Sequence, residues 1–394
     1  MTAIGNRVLP ASTGSRNAGI DLLRGLCILL VVVHHVALRI PLHKTALGEL
    51  LPRRLLDGLG YNGYEAVFVF FVISGFLITL HSLQRWGRLS KMDLRGFYLR
   101  RVGRIVPSLL LLLAVLSSMH LAGVPNYVID GENQSLGGAL LAALGFYLNW
   151  YEGMTGWLPG GWDVLWSLSI EEIFYLVFPL LCLALRTRGV LIAVLLVLAL
   201  SLPITRAALQ GNEIWQEKAY LPGMAAIAAG VLTALWVSRG TVPVRTGTWL
   251  RIAGVIGLLT VAFCGRELWA TLGNGYMLVL TGSAAMLIAG LHVGHAAVSV
   301  VPSRAWAWLR SWGRLSYEIY LTHMFVVFGV VGLFKSAGED MRTGAWWYVP
   351  VLLLCWALGL AFARFYSDPC DRALRRRFLR RPMPKGVLVK PLEK

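Results

Sequence analysis

The chain has 394 residues, of which 57% are hydrophobic and 14% charged, and its mean hydropathy is +0.64. Soluble domains carry roughly a quarter of their residues charged, so this composition excludes that class and indicates a polytopic membrane protein. The net charge of +17 would suit a nucleic-acid binder, but it is segregated into segments that flank apolar runs, where basic residues set orientation.

The first 19 residues are polar, and the apolar run that follows ends in His34, His35 and Arg39 rather than in a small-residue cleavage site. It therefore reads as a retained first span. Apolar stretches near the 20 residues needed to cross a bilayer follow at 20–39, 61–80, 105–123, 166–185, 189–205, 218–237, 250–265, 275–293, 312–334 and 347–366. Residues 81–104 carry Arg85, Arg88, Lys91, Arg95, Arg100, Arg101 and Arg104 against Asp93, and residues 367–394 carry nine Lys or Arg against three acids. Both segments are expected in the cytoplasm. Residues 124–165 contain Asp130, Glu132, Glu152 and Asp163 and no Lys or Arg, so they are expected outside. A shorter apolar stretch at 138–150 lies within that acidic segment. Counting it as a span would turn the arginine-rich C-terminus outward, so it is expected to be a re-entrant or interfacial helix. The fold class is thus an all-α membrane bundle of about ten spans plus that one short element. Its expected organisation is a cytoplasmic segment 1–19, a membrane domain 20–369 and a basic cytoplasmic tail 370–394 that meets anionic lipid.

Cys27, Cys182, Cys264, Cys355 and Cys370 lie in or beside apolar segments without CxxC spacing, which suits packing rather than a disulfide framework. No metal site is expected.

Ionisable groups inside the spans carry the functional signal. With the first span running outward, His35 lies about 6 Å below Arg39 at 1.5 Å per residue. The span at 166–185 runs inward, which puts Glu171 roughly 7 Å below the same face. The two can meet at one depth. A histidine supported by a carboxylate suits general-base chemistry on a hydroxyl; the plainer alternative is a buried pair satisfying each other. His34 points about 100° away from His35, and spacing alone does not choose between them. Arg24 lies eleven residues before His35, about 16 Å along the helix, at the face where Arg100, Arg101 and Arg104 also stand. Such a group suits phosphate, although arginines also anchor span boundaries. His323 and Glu318 are read first as satisfied structural polarity. Most of the 15 tryptophans suit an interfacial belt, while Trp157 and Trp162 of the outer loop have the alternative of stacking on a sugar.

Several motifs occur in order from residue 20 to 369. Arg24 and His35 enclose ten residues; Phe70-Phe71-Val72-Ile73-Ser74-Gly75-Phe76-Leu77-Ile78 follows in the second span; Arg101-Val102-Gly103-Arg104-Ile105-Val106-Pro107 forms an RxxR segment. Trp166-Ser167-Leu168-Ser169-Ile170-Glu171-Glu172-Ile173-Phe174-Tyr175 and Ser316-Tyr317-Glu318-Ile319-Tyr320-Leu321-Thr322-His323 complete the set. In these the chain resembles acyltransferase family 3, the integral membrane O-acyltransferases. Phe68, at an often polar position, and Asp368-Pro369, where Glu-Pro is usual, depart from the pattern.

The resemblance implies ten spans and selects His35 over His34. It implies transfer of an acyl group, commonly acetyl, from cytoplasmic acyl-coenzyme A to a hydroxyl of an extracytoplasmic carbohydrate or glycoconjugate, in the bacterial inner membrane. On this reading His35 is the general base or acyl relay, and Glu171 orients it. Arg24, Arg101 and Arg104 hold the coenzyme A phosphates, and Trp166, Tyr175 and His323 contact substrate. Without the C-terminal hydrolase-like domain of some members, acceptor handling is expected in the membrane domain and its outer loops. A transporter using the same His, Glu and Arg residues is the competing class, lowered by the lack of any inverted repeat.

Overall fold

The computed structural model describes residues 16–185, 187–240, 242–297 and 303–379; the first 15 residues, Arg186 and the tail from 380 onward lie outside the described residues. All regular structure among the described residues is helical, and the protein is an integral membrane protein. Its apolar helices are α1 (Ala18–Ala37), α2 (Gly63–Trp86), α3 (Leu94–Leu121), α4 (Trp166–Ala184), α5 (Arg188–Leu200), α6 (Tyr220–Val237), α7 (Val244–Leu272), α8 (Tyr276–Ala297), α9 (Ser316–Ser336) and α10 (Tyr348–Phe362). Eight helical stretches of the described residues are long and apolar enough to cross a membrane. One of these, Val244–His295, holds both α7 and α8, which turn back on each other at Gly273–Gly275. The shorter α5 adds 13 apolar residues and continues into Leu202–Ala207. Each of the ten apolar stretches of the sequence thus falls on a helix.

Residues 138–150 fall on two short helices, Leu136–Leu144 and Leu148–Thr155. At nine and eight residues they reach about 13 Å each, less than half of a bilayer core. Phe146, with φ +57°, stands at the break between them. The basic segment after α10 begins as a helix, Asp368–Phe378, that packs on α3.

Local chemistry sets where the functional helices start. Asn17 caps α1 by accepting from the backbone N–H of Gly19 at 2.9 Å and of Ile20 at 3.2 Å, and its amide donates to the Leu291 carbonyl of α8 at 3.2 Å. This cap fixes the end of α1 from which Asp21 and Arg24 project. Asp93 caps α3 through the N–H of Gly96. Pro107 interrupts the hydrogen-bond ladder of α3, and phenols from two other segments bind there: Tyr317 donates to the Ile105 carbonyl at 3.4 Å and Tyr366 to that of Pro107 at 3.2 Å. Arg104 is thereby held beside α9.

Lipid tails give helices no hydrophobic reason to associate, so close backbone packing carries much of the assembly. A Cβ on Gly75 of α2 would fall 1.9 Å from the Ile227 carbonyl oxygen of α6, and one on Gly230 of α6 would fall 2.0 Å from that of Val72. A Cβ on Gly25 of α1 would fall 2.1 Å from the Leu309 oxygen, and one on Gly313 1.8 Å from that of Asp21, which seats the helix Ala307–Arg314 on α1. We expect Gly230→Val to lower the thermal midpoint of the detergent-solubilised protein by an overpacking cost of about 1–3 kcal/mol. Gly329→Ala, whose Cβ meets nothing within 4 Å, serves as the unaffected comparison in the same melting experiment.

Candidate active site

Helices α1, α2, α3, α4, α8 and α9 enclose a cavity of about 620 Å³. Arg24, Arg101 and Arg104 all line it, as the motif reading expects. Arg24 donates from Nη2 to the Ser316 hydroxyl at 2.7 Å. The Arg101 guanidinium lies 4.1 Å from the centroid of the Tyr175 ring, and that of Arg104 lies 5.8 Å from the Tyr317 ring. Arg16, at the same end, is paired with Asp21 at 2.8 Å. Among the described residues no ion pair joins Arg24, Arg101 or Arg104 to a carboxylate. Three guanidinium groups therefore face one cavity without an ion pair, alongside the carboxyls of Glu171 and Glu172, and such a cluster of guanidinium donors suits a multiply charged anion.

His35, farther along α1 than Arg24, is not part of that cavity's lining. Its Nδ1 is 2.8 Å from the Val31 carbonyl. A carbonyl only accepts, so Nδ1 carries the hydrogen and Nε2 presents a lone pair. Its ring meets His323 edge to face at 5.0 Å between centroids. His323 is bound in the same way, with Nδ1 donating to the Tyr320 carbonyl at 2.8 Å, and its Nε2 is buried without a partner at 0% exposure. His34 turns the other way, toward Tyr61 and the close-packed Gly63 of α2. Tyr320 connects the two zones: it lines the cavity, its ring lies 5.7 Å from His323, and its hydroxyl meets Ser167 Oγ at 2.6 Å and the Val164 carbonyl at 2.8 Å.

The expected partnership of Glu171 with His35 has a different geometry. Glu171 lines the cavity and interacts with Ser74, in the field of Arg101, Arg24 and Arg104. Ser74 in turn shares a hydrogen bond with the Tyr175 hydroxyl. Among the described residues no hydrogen bond or ion pair joins Glu171 to His35. The two side chains have different neighbours: Glu171 meets Ser74 in the cavity, and α9 supplies His323, the group that His35 touches. The carboxylate whose charge reaches His35 is Asp163.

Trp166 is buried against Tyr64 and Phe71 with ring centroids 6.3 and 6.2 Å away, a packing position. Trp162 is also buried, its indole donating to the Tyr127 carbonyl at 3.0 Å. Tyr175 lines the cavity and His323 touches His35. Glu318 accepts from Ser367 at 3.0 Å, which is satisfied polarity.

Sequence reasoning missed a buried ion cluster. Lys218, 1% exposed, is bound to Glu152 at 2.9 Å and to Asp163, and lies 4.1 Å from the Trp157 ring centroid. It ties the helix Glu213–Lys218 to the helix Leu148–Thr155 and to the segment that carries Asp163. The signal was an acidic stretch without bases, matched by a lysine at the start of the apolar stretch 218–237.

A family-wide sequence profile described as an acyltransferase domain matches residues 17–366. The chain belongs to acyltransferase family 3. It is 24% identical over 397 residues to O-acetyltransferase OatA of Staphylococcus aureus (strain NCTC 8325 / PS 47), covering 94% of this chain and 60% of that protein. It is 26% identical over 295 residues to peptidoglycan O-acetyltransferase OatA of Listeria monocytogenes, covering 68% of this chain and 45% of that one. The match therefore spans well under two thirds of these relatives' own length. No solved structure matches the chain.

Removing the lysine leaves Glu152, fully buried, without its cation. Lys218→Met is expected to destabilise the protein by about 3–5 kcal/mol, and Lys218→Met with Glu152→Gln to recover part of that loss. Thermal unfolding in nanodiscs measures both.

Proposed function

We propose that this protein is an O-acyltransferase that moves an acyl group, commonly acetyl, from acyl-coenzyme A in the cytoplasm to a hydroxyl of an extracytoplasmic glycan, with both termini cytoplasmic. The Listeria monocytogenes relative, named a peptidoglycan O-acetyltransferase, makes a peptidoglycan-type glycan the first acceptor to try. One observation carries the reading: a cavity lined by three arginines without ion pairs is also lined by Tyr320, whose ring lies 5.7 Å from His323, and His323 and His35 both carry their hydrogen on Nδ1 and leave Nε2 as a lone pair.

On this reading Arg24, Arg101 and Arg104 hold the phosphates of coenzyme A, and the thioester reaches past Tyr320 toward His35. An acceptor hydroxyl gives its proton to His35 Nε2 as its oxygen attacks the thioester carbonyl carbon. The carbon–sulfur bond breaks with its electron pair going to sulfur, and the imidazolium returns the proton there, so His35 ends neutral. A route through an acyl-imidazole on His35 uses the same geometry. Holding two reactants that arrive from opposite ends of one bundle supplies part of the acceleration. Glu171 then acts at the cofactor end, through Ser74 and Tyr175, rather than on His35.

With radiolabelled acetyl-coenzyme A and a glycan acceptor, the protein in lipid vesicles is expected to form labelled ester. His35→Ala should lower kcat by a factor on the order of 10² to 10⁴, the span of general-base contributions. Arg104→Ala should act chiefly by raising KM for acetyl-coenzyme A. A folded His35→Ala variant that acylates at the wild-type rate would overturn the assignment.

A further inference from the structure

The cavity's side-chain oxygens are almost all engaged. Ser74 is bound to Tyr175, Ser167 to Tyr320, and Ser316 to Arg24, while Tyr317 donates to the Ile105 carbonyl. Glu172 is the exception. It lines the same cavity, is 6% exposed, and its Oε1 is buried with no hydrogen-bond partner among the described residues. It lies in the field of Arg101 and Arg104 yet forms an ion pair with neither.

An unpartnered carboxyl oxygen inside a bundle costs free energy until a donor reaches it. Phosphate groups have acceptors to offer and few donors, so a carboxyl at this position does nothing favourable for the phosphates themselves. A ligand that combines phosphates with N–H or O–H donors farther along fits both parts of the cavity. Coenzyme A has that layout, because its phosphates lead into a pantetheine arm that bears two amide N–H groups and a hydroxyl.

We propose that Glu172 recognises the pantetheine arm, its Oε1 accepting a hydrogen bond from an amide N–H or the hydroxyl of that arm. The inference rests on the acyl-coenzyme A reading above and adds the group that tells a pantetheine-bearing ligand from a nucleotide alone. Glu172 is a binding residue in this assignment, with its effect on affinity for the whole cofactor rather than on the proton transfer at His35.

The test is calorimetric titration of the full chain in nanodiscs with two probes, coenzyme A and adenosine 3′,5′-bisphosphate. Loss of one hydrogen bond to a carboxyl should weaken coenzyme A binding to Glu172→Leu about tenfold. The same variant should bind the bisphosphate unchanged or more tightly, since a carboxyl has left the neighbourhood of Arg101 and Arg104. That retained binding also reports that the cavity is folded. Glu172→Gln keeps a carbonyl acceptor and should stay within about threefold of wild type for coenzyme A. Equal weakening of both probes, or no change in coenzyme A affinity, would overturn the inference. Failure of the wild-type protein to bind either probe would instead overturn the acyl-coenzyme A reading itself.

Discussion

Positive charge gathered on one cavity of the helix bundle without ion pairs is the constraint on which this structure turns. A cation over an aromatic face returns about 0.5–2 kcal/mol and does not neutralise the charge. Tyr175 and Tyr317 therefore cannot balance Arg101 and Arg104, nor can the Ser316 hydroxyl balance Arg24. Arg16 shows the alternative that the other three lack, since Asp21 neutralises it. A bundle that keeps three such groups on one cavity spends stability on an anion site. The open volume beside them has room for such an anion.

The charges can be held there because the surrounding backbone has little freedom. Glycines at α2/α6 and at α1 against Ala307–Arg314 bring carbonyl oxygens to distances no side chain would permit, so α1 and α2 cannot slide without breaking those contacts. α1 then acts as a ruler. It carries Arg24 in the arginine zone and His35 about 16 Å farther along, and Asn17 pins its start to α8. Tyr320, held by Ser167 and the Val164 carbonyl, stands where the two zones adjoin. Rigid helices at both ends of the reaction path suit a site that must hold two reactants in register.

The sequence was most legible where one physical variable decides. Span positions follow from apolar length, and all ten stretches fall on helices; residues 138–150 are too short to cross, and they break at Phe146. That Arg24, Arg101 and Arg104 share one neighbourhood was legible because all three stand at the same end of their spans. Depth, however, is only one coordinate. Glu171 and His35 could be placed at the same level, but the azimuth of each side chain and the neighbour on a third helix were beyond spacing arguments. His323 took the place assigned to Glu171. Lys218 was missed for a similar reason, since its carboxylates lie 55 and 66 residues away in the chain. Trp166 shows the converse: its place in a motif suggested substrate contact, and packing against Tyr64 and Phe71 accounts for it.

The two imidazoles illustrate how ordinary backbone chemistry prepares a reactive group. Val31 and Tyr320 each offer a carbonyl that can only accept, so both rings must keep their hydrogen on Nδ1. Neither ring can then donate to the other in the neutral state, and two lone pairs share one buried neighbourhood. A hydroxyl bringing a single proton is the natural complement, because it donates to one ring and leaves an oxygen of rising charge as it does so. Once one ring has taken that proton it has a second N–H to give. A proton accepted from a hydroxyl on one side can be handed on to a leaving sulfur on the other without any further titratable group.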